Sequence, residues 1–531
     1  MKRPEPRARA MGALATMLLA LAAAPTPAAP APAANAAGID TAALLASFEH
    51  KTTVHVLDNG WTFIIVERPV APVFSFATMV DVGGTREVPG ITGLAHMFEH
   101  MAFKGTPVVG TTDFTAEKMA LDELEAAYQA YDRARRAPHQ DAERVAALHE
   151  EFLSRQNEAG AFVVSNAFPE LVERAGGVGL NAFTNNDQTG YFYSLPANKI
   201  ELFAYLESER FLHPVFREFY KERAVVQEER RLRTDSNPIG RLIEQMVATA
   251  FVAHPYKQPV VGFMSDLQAF SATDAKAFFR KYYVPANMVT ALVGQLDTEQ
   301  LIPLLERYFG RIPARPEPPP LRTIEPPQIV EKQLVMVDAA QPVYLEGYHI
   351  GSSSDPDQAV YDAIDDILSG GRTSRLYRSL VVDKKIAVQV GSFSGFPGSK
   401  HPSLWIAFAF PAKDIPNQTV QTAIREQIAR LSSEDVSDEE LDRFKTRAKT
   451  NLLRGLQDNQ GLGFQLATAQ QLYGDWRELF RRVDAYEAVT KADIRRVAAK
   501  TFIASNRTVA MIVHETPGAD APKGQPAAGG R

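Results

Sequence analysis

The chain has 531 residues and a mass of 58.5 kDa, enough for more than one domain. Its 45% hydrophobic and 23% charged residues are those of an ordinary globular protein, and a net charge of −6 excludes a basic nucleic-acid footprint. With no cysteine there is no disulfide and no lipidated cysteine anchor, which suits an exported protein in an oxidising compartment.

The first segment reads as an address. Lys2, Arg3, Arg7 and Arg9 make a positive start, Met11 to Ala24 carries no charge, and small residues follow through Ala34-Asn35-Ala36. That is the pattern of a secretory signal peptide over residues 1–36, with cleavage after Ala24, Ala29 or, favoured here, Ala36; the alternative is an uncleaved N-terminal anchor. Four basic residues against Glu5 give the leader +3, so the mature chain carries −6 − 3 = −9. No second apolar run is long enough to span a membrane, so a mature periplasmic or secreted protein without a stable membrane span is expected.

Val54 to Val66 predicts two strands around an Asn59-Gly60 turn, and Phe74 to Val82 a third, ended by Gly83-Gly84. A short helix follows, Gly93-Leu94-Ala95-His96-Met97-Phe98-Glu99-His100-Met101-Ala102-Phe103-Lys104-Gly105-Thr106. Residues four apart share a helix face, so His96 and His100 can grip one metal ion, with Glu99 close enough to act on a metal-bound water. Imidazole suits zinc, zinc acidifies bound water, and an adjacent carboxylate can take its proton and pass it to a leaving amine. This His-x-x-Glu-His order is the inverted zinc-peptidase signature. Leu94, Met97, Met101 and Phe103 would bed the helix in a core, and Gly105 ends it.

From Thr115 to about Asn157 the apolar spacing changes. Leu121, Leu124, Tyr128 and Tyr131, then Val145, Leu148 and Phe152, predict a helical hairpin broken at Ala137-Pro138, with an insertion over about 115–165. A strand-like segment begins at Asn181-Ala182-Phe183-Thr184 and runs through Tyr191-Phe192-Tyr193, followed by helices at Lys199–Leu212 and Glu218–Arg233. The proline-rich stretch 313–328 predicts a stiff linker between a domain at 50–312 and another at 329–515, with a disordered tail at 516–531.

The halves read as repeats. Asp274, Lys281, Tyr283 and Asn287 recur as Asp493, Lys500, Phe502 and Asn506, each shifted by 493 − 274 = 219 residues, and each set closes a helix ahead of a β-rich strand. The expected fold is α+β, with two homologous halves, each a β-sheet covered by helices.

A zinc hydrolase needs a third protein ligand. The remaining histidines, such as His50, His55, His139 and His149, are poorly placed, whereas Glu222, Glu228 and Glu229 share one predicted helix.

The chain resembles the pitrilysin/insulinase family, which includes the mitochondrial processing peptidase, and looks like a short bacterial form. The resemblance rests on His-x-x-Glu-His, Asn181-Ala182-x-Thr184, Glu222-Arg223-x-Val225-x-x-x-Glu229, His254-Pro255-Tyr256, Val261-Gly262 and Gly370-Gly371-Arg372-Thr373-Ser374-Arg375-Leu376, over about 50–515 apart from the hairpin. It implies one Zn2+ per chain held by His96, His100 and Glu229, Glu99 as the base, and Glu222 as a supporting glutamate behind the ligands. Glu228, rotated about 100° from Glu229, is read as solvated. Asn181, Ala182 and Phe183 match the edge strand that lies along a bound peptide, and Phe103 joins them as a substrate-binding candidate. The separation of 229 − 100 = 129 residues exceeds the family's usual spacing, an excess that the hairpin accounts for.

One departure matters. Catalytically complete members carry an arginine and a tyrosine seven apart after the glycine-rich turn of the second half, where this chain has Val381 and Val388. Valine cannot donate to a developing oxyanion. The expectation is therefore a zinc metalloendopeptidase acting on peptides or unfolded segments, as the metal-bearing subunit of a hetero-oligomer whose paralogous partner supplies the Arg/Tyr pair. A homodimer using Arg372, Arg375 or Tyr377 is the runner-up. The alternative class is a non-catalytic peptide-binding or assembly subunit of the same fold.

Overall fold

In a computed structural model, the structure describes residues 40–514. The signal-peptide and tail expectations, at 1–36 and 516–531, lie outside the described residues. None of the described helices is long and apolar enough to cross a membrane.

The first half runs α1 (Thr41–Glu49), β1 (Thr52–Val56), β2 (Thr62–Glu67), β3 (Val73–Val80), α2 (Leu94–Met101), α3 (Phe114–Arg135), α4 (Ala142–Gly160), α5 (Ala167–Arg174), β4 (Val178–Thr184), β5 (Thr189–Pro196), α6 (Ile200–Leu212), α7 (Phe219–Arg230), α8 (Pro238–Ala250), α9 (Met264–Leu267), α10 (Ala272–Tyr282), β6 (Met288–Gly294) and α11 (Thr298–Phe309). The second half runs β7 (Lys332–Val337), β8 (Val343–Ile350), α12 (Gln358–Ser369), β9 (Ala387–Phe396), β10 (Ser403–Pro411), α13 (Asn417–Ser433), α14 (Asp438–Gly455), α15 (Asn459–Tyr473), α16 (Glu478–Ala488), α17 (Lys491–Thr501) and β11 (Arg507–Val513). The stretch 313–328 has no regular secondary structure. The single strand-like run expected from Asn181 to Tyr193 is instead a hairpin, β4 and β5. Asn185 breaks the run, because its side chain accepts from the backbone N–H of Asp187 and Gln188 and folds the chain back. Helix α1 starts ahead of residue 50 and packs on the second half, with Phe48 5.2 Å from Phe480.

The sheets are copies. Their strand orders are β1-β2-β6-β3-β5-β4 and β7-β11-β8-β10-β9; with β1 set aside they match strand for strand. The β2–β6 and β7–β11 pairs are parallel and the other matching pairs antiparallel. The repeated residues do the same work twice. Ser271 with Asp274, and Thr490 with Asp493, form capping boxes on α10 and α17. Asn287 donates to the carbonyls of Tyr282 and Asp81, and Asn506 to those of Thr501 and His349, locking each helix end to the neighbouring strand.

Each sheet has one face covered by helices of its own half and one by a helix of the other. Leu462, Leu466 and Ala467 of α15 bury against Ile64, Ala77 and Val293 of the first sheet. Leu242, Ile243 and Met246 of α8 bury against Leu345, Ile406 and Ala510 of the second. The hairpin tips also meet, since Asp187 accepts from Tyr256 Oη (2.7 Å) and from the backbone N–H of Ser399 (2.7 Å) and Lys400 (3.1 Å).

Candidate metal centre

Helix α2 is only two turns long and owes its place to its ends. Gly93 enters it at φ +95°, and a Cβ there would meet Val261 O at 2.7 Å, so a side chain is excluded. The buried Glu87 carboxylate accepts from the N–H groups of Gly93 and Ala95, both at 2.7 Å, and Asp266 accepts from those of Gly90 and Thr92. Acidic groups here satisfy the free N–H groups and suit the helix dipole. The back of the helix is apolar, with Phe98 packed among Phe278, Phe279 and Tyr283. Beyond it, Arg217 donates to the carbonyls of Lys104, Thr106 and Val109 and pairs with Glu117 at 2.6 Å, both side chains being almost fully buried.

On the open face, His96 Nε2 and His100 Nε2 lie 3.7 and 3.2 Å from Glu229 Oε2. Two donors bound to a tetrahedral zinc at about 2.0–2.1 Å lie roughly 3.3 Å apart, so this spacing fits zinc. Among the described residues these three alone bring three ligand atoms within 4.8 Å of one another. Glu229 comes from α7, which packs directly on α2. Glu222, two turns earlier, puts Oε2 3.5 Å from His100 Nδ1 and Oε1 2.5 Å from Lys104 Nζ. Glu228 turns away: its side chain is 64% exposed and pairs with Arg231.

The electrostatics prepare the same atoms. Burial pushes His96 down to about 4, which keeps a neutral lone pair for a metal. Burial works the same way on His100, but hydrogen bonds from its ring to Glu222 and Glu229 outweigh it and raise His100 to about 9. Burial would raise Glu229, yet its hydrogen bond from His100 and the charges of His96 and Arg233 hold it at about 2. The ligand carboxylate is thus anionic at neutral pH, and a metal arriving at His100 must displace a proton. Glu99 is different: burial lifts it to about 7 against a hydrogen bond from the Thr184 hydroxyl.

Glu99, His100 and Phe103 line a cleft of about 510 Å³. Its far wall is Val163, Val164 and Ala167, the return from the α3–α4 hairpin, a contribution invisible in the sequence because the loop has no motif. The hairpin also holds α7. Tyr220 Oη donates to Glu125 at 2.5 Å, and the Arg223 guanidinium donates to Tyr128 Oη at 2.6 Å while stacking on the rings of Tyr128 and Tyr220. Thr184 was legible as part of the Asn-Ala-x-Thr motif, but its contact with Glu99 was not.

Asn181, Ala182 and Phe183 lie on β4, the outer strand of the first sheet. Asn181 is exposed and Ala182 buried. The Phe183 ring packs 5.2 Å from Phe464 on α15, so what this residue presents at the sheet edge is main chain. Val381 is half-buried in the second core, and Val388 is 44% exposed on β9, the outer strand of the second sheet. Of the residues considered as substitutes for an Arg/Tyr pair, Arg375 is tied to Glu440 at 2.7 Å, while Arg372 is exposed and Tyr377 half-buried.

The chain is similar in sequence and fold to known zinc proteases. Residues 62–135 match the family described as Insulinase (Peptidase family M16), and residues 269–448 that described as Peptidase M16 inactive domain. The chain is similar to "Zinc protease PqqE" of Helicobacter pylori, with 29% identity over 398 residues, 73% of this chain and 76% of that one. It is similar to "Uncharacterized zinc protease ML0855" of Mycobacterium leprae, with 23% identity over 83% of this chain and 87% of the relative. The crystal structure of a protease from Helicobacter pylori superposes with a TM-score of 0.72 at 25% identity, covering 87% of this chain and 99% of that one.

Proposed function

We propose that this chain, which belongs to the insulinase (peptidase M16) family, is a zinc metalloendopeptidase that cleaves peptides or unfolded segments. The observation that carries the reading is the convergence of His96, His100 and Glu229, whose ligand atoms lie within 4.8 Å of one another, with Glu99 on the same helix as the two imidazoles and lining the adjoining cleft. Zinc held by the three ligands would supply Lewis acidity, acidifying water and polarising a peptide carbonyl. The residues supply the rest. Glu229 stays anionic and Glu222 orients the His100 ring from the opposite side. Glu99 accepts a proton from the attacking water and returns it to the departing amine. The outer edge of β4 can pair with an extended peptide through main chain, which favours binding with little dependence on sequence.

Val381 and Val388 support a two-chain enzyme in which a partner donates the groups that steady the oxyanion. Loss of such donors commonly costs about 10²–10³ in rate. The basic start and uncharged Met11–Ala24 run support export to the periplasm. The test is zinc stoichiometry and cleavage of a fluorogenic peptide, by the chain alone and together with a paralogue that lacks His-x-x-Glu-His. One zinc per chain with activity appearing only in the mixture is expected. Absence of zinc and of cleavage in both preparations overturns the peptidase reading, and full activity of the isolated chain overturns the partner.

A further inference from the structure

The first half carries a second groove, of about 500 Å³, built from α3, α10, the segment 211–216 that leaves α6, and residues 312–315. It shares no lining residue with the cleft beside Glu99. Its apolar lining includes Leu121, Phe211, Phe216, Phe279 and Ile312. A narrow inner pocket of about 40 Å³ shares Phe211, Phe216 and Phe279 with the groove and reaches Phe98 and Met101, at the back of α2. Arg210 also lines that inner pocket, but it is already paired with the buried Glu207.

Charge at the groove is one-sided. Lys118, Lys276, Arg280 and Arg315 line it against Asp122 and Glu125, a balance of 4 − 2 = +2 in a chain of net charge −6. Both acidic groups are engaged. Asp122 pairs with Lys118 at 2.6 Å, and Glu125 accepts from Tyr220 Oη and from the hydroxyl and N–H of Thr273. Lys276 and Arg280 stand one turn apart on α10, and among the described residues neither they nor Arg315 has a carboxylate within ion-pair distance. The Lys276 ammonium lies 5.8 Å from the centre of the Phe216 ring, so cation and apolar surface meet there. Arg280 and Arg315 are exposed, whereas Phe211, Phe216 and Phe279 are buried. Apolar walls with surplus cations at the rim suit a ligand that is apolar along its length and anionic at one end. A peptide main chain laid on the three phenylalanines would leave its amide groups without partners, whereas an alkyl chain needs none. The volume is in the range of small-molecule pockets.

We propose that this groove binds a single-chain carboxylate amphiphile of the fatty-acid class. Its carboxylate is met by Lys276, Arg280 and Arg315, and its alkyl chain runs along Phe216 and Phe279 towards the back of α2. The site requires neither zinc nor peptide cleavage, so it stands or falls separately from the peptidase reading.

The test is calorimetric titration of the full chain, zinc-loaded and zinc-stripped, with decanoate, 1-decanol, decyltrimethylammonium and acetate. Saturable decanoate binding of equal affinity in both forms is expected, with 1-decanol and decyltrimethylammonium weaker by about tenfold or more and acetate not binding. Arg280→Gln combined with Arg315→Gln, both at exposed positions, should weaken decanoate by about tenfold and leave 1-decanol unchanged. Leu121→Trp narrows the groove without altering charge and should weaken both alkyl ligands; thermal unfolding and circular dichroism check that each variant is folded. No saturable decanoate binding at millimolar concentration overturns the proposal. So does decanoate binding that requires zinc, binding of 1-decanol or decyltrimethylammonium as tight as that of decanoate, or a decanoate affinity left unchanged by the arginine pair or by Leu121→Trp.

Discussion

Lys104 Nζ stands 2.5 Å from Glu222 Oε1, one helical turn past the second imidazole ligand. The ammonium neutralises Glu222 from one side while His100 faces its other oxygen, so the supporting glutamate is held in place without adding an uncompensated charge beside the metal ligands. Glu222→Gln should therefore weaken zinc about 10–100-fold, and Lys104→Met should weaken it in the same direction by freeing Glu222 to turn. Competition with a chromogenic chelator measures both.

Glu229 and Glu228 are neighbours in sequence with opposite surroundings. Glu229→Gln removes a ligand that faces both imidazoles, and zinc affinity should fall by more than about 100-fold. Glu228→Gln touches only an exposed pair with Arg231 and should leave metal content and stability within about 0.5 kcal/mol of the parent. Zinc per chain after dialysis separates them.

Glu99→Gln keeps the shape of the side chain and removes its basicity. Peptide cleavage should drop by about 10²–10⁴, while one zinc per chain and the thermal midpoint are retained. Turnover at the parent rate in that variant would refute the role given to Glu99.

The Glu117–Arg217 pair is among the most deeply buried ion pairs of the fold, with side chains 0% and 1% exposed. Arg217→Met leaves Glu117 charged and unpaired and also strips three carbonyls of their donor, so urea denaturation should show a loss of about 3–5 kcal/mol. Glu117→Leu combined with Arg217→Met should lose less than the sum of the two single changes.

His254 sits where the halves meet, 5.0 Å from the ring of His401, and its Nδ1 accepts from the N–H of Tyr256. Burial, then the proximity of His401, hold it down at about 4. The unfolded chain takes up this proton first, near pH 6.5, so His254 contributes fully above that value and progressively less as pH falls towards 4. His254→Asn retains an acceptor for Tyr256 and removes the titration. Its unfolding midpoint should fall less steeply between pH 6.5 and 4 than that of the parent.

The parts legible in the sequence are those written locally. His96, Glu99 and His100 share one short helix, so their spacing alone brings them together. Asp274 and Asp493 cap their own helices, and the repeat showed through them. Glu229 needed the family resemblance, because nothing within α7 states that it faces α2 rather than Glu228 doing so. Arg217 with Glu117, and the Val163–Ala167 wall, depend on how the hairpin folds back, and no periodicity encodes that. Nor does the amphipathic pattern of α8 or α15 say which sheet it will cover: an apolar stripe demands burial but names no partner.

That last ambiguity was resolved by exchange, with α8 lying on the second sheet and α15 on the first. A backbone nicked anywhere between Pro313 and Gln328 should still sediment as one particle, held by the crossed helices. Neither fragment produced by itself can close the open side of its own sheet. Stretches 40–312 and 329–514 are thus obligate companions, to be recovered by co-expression as a complementing pair.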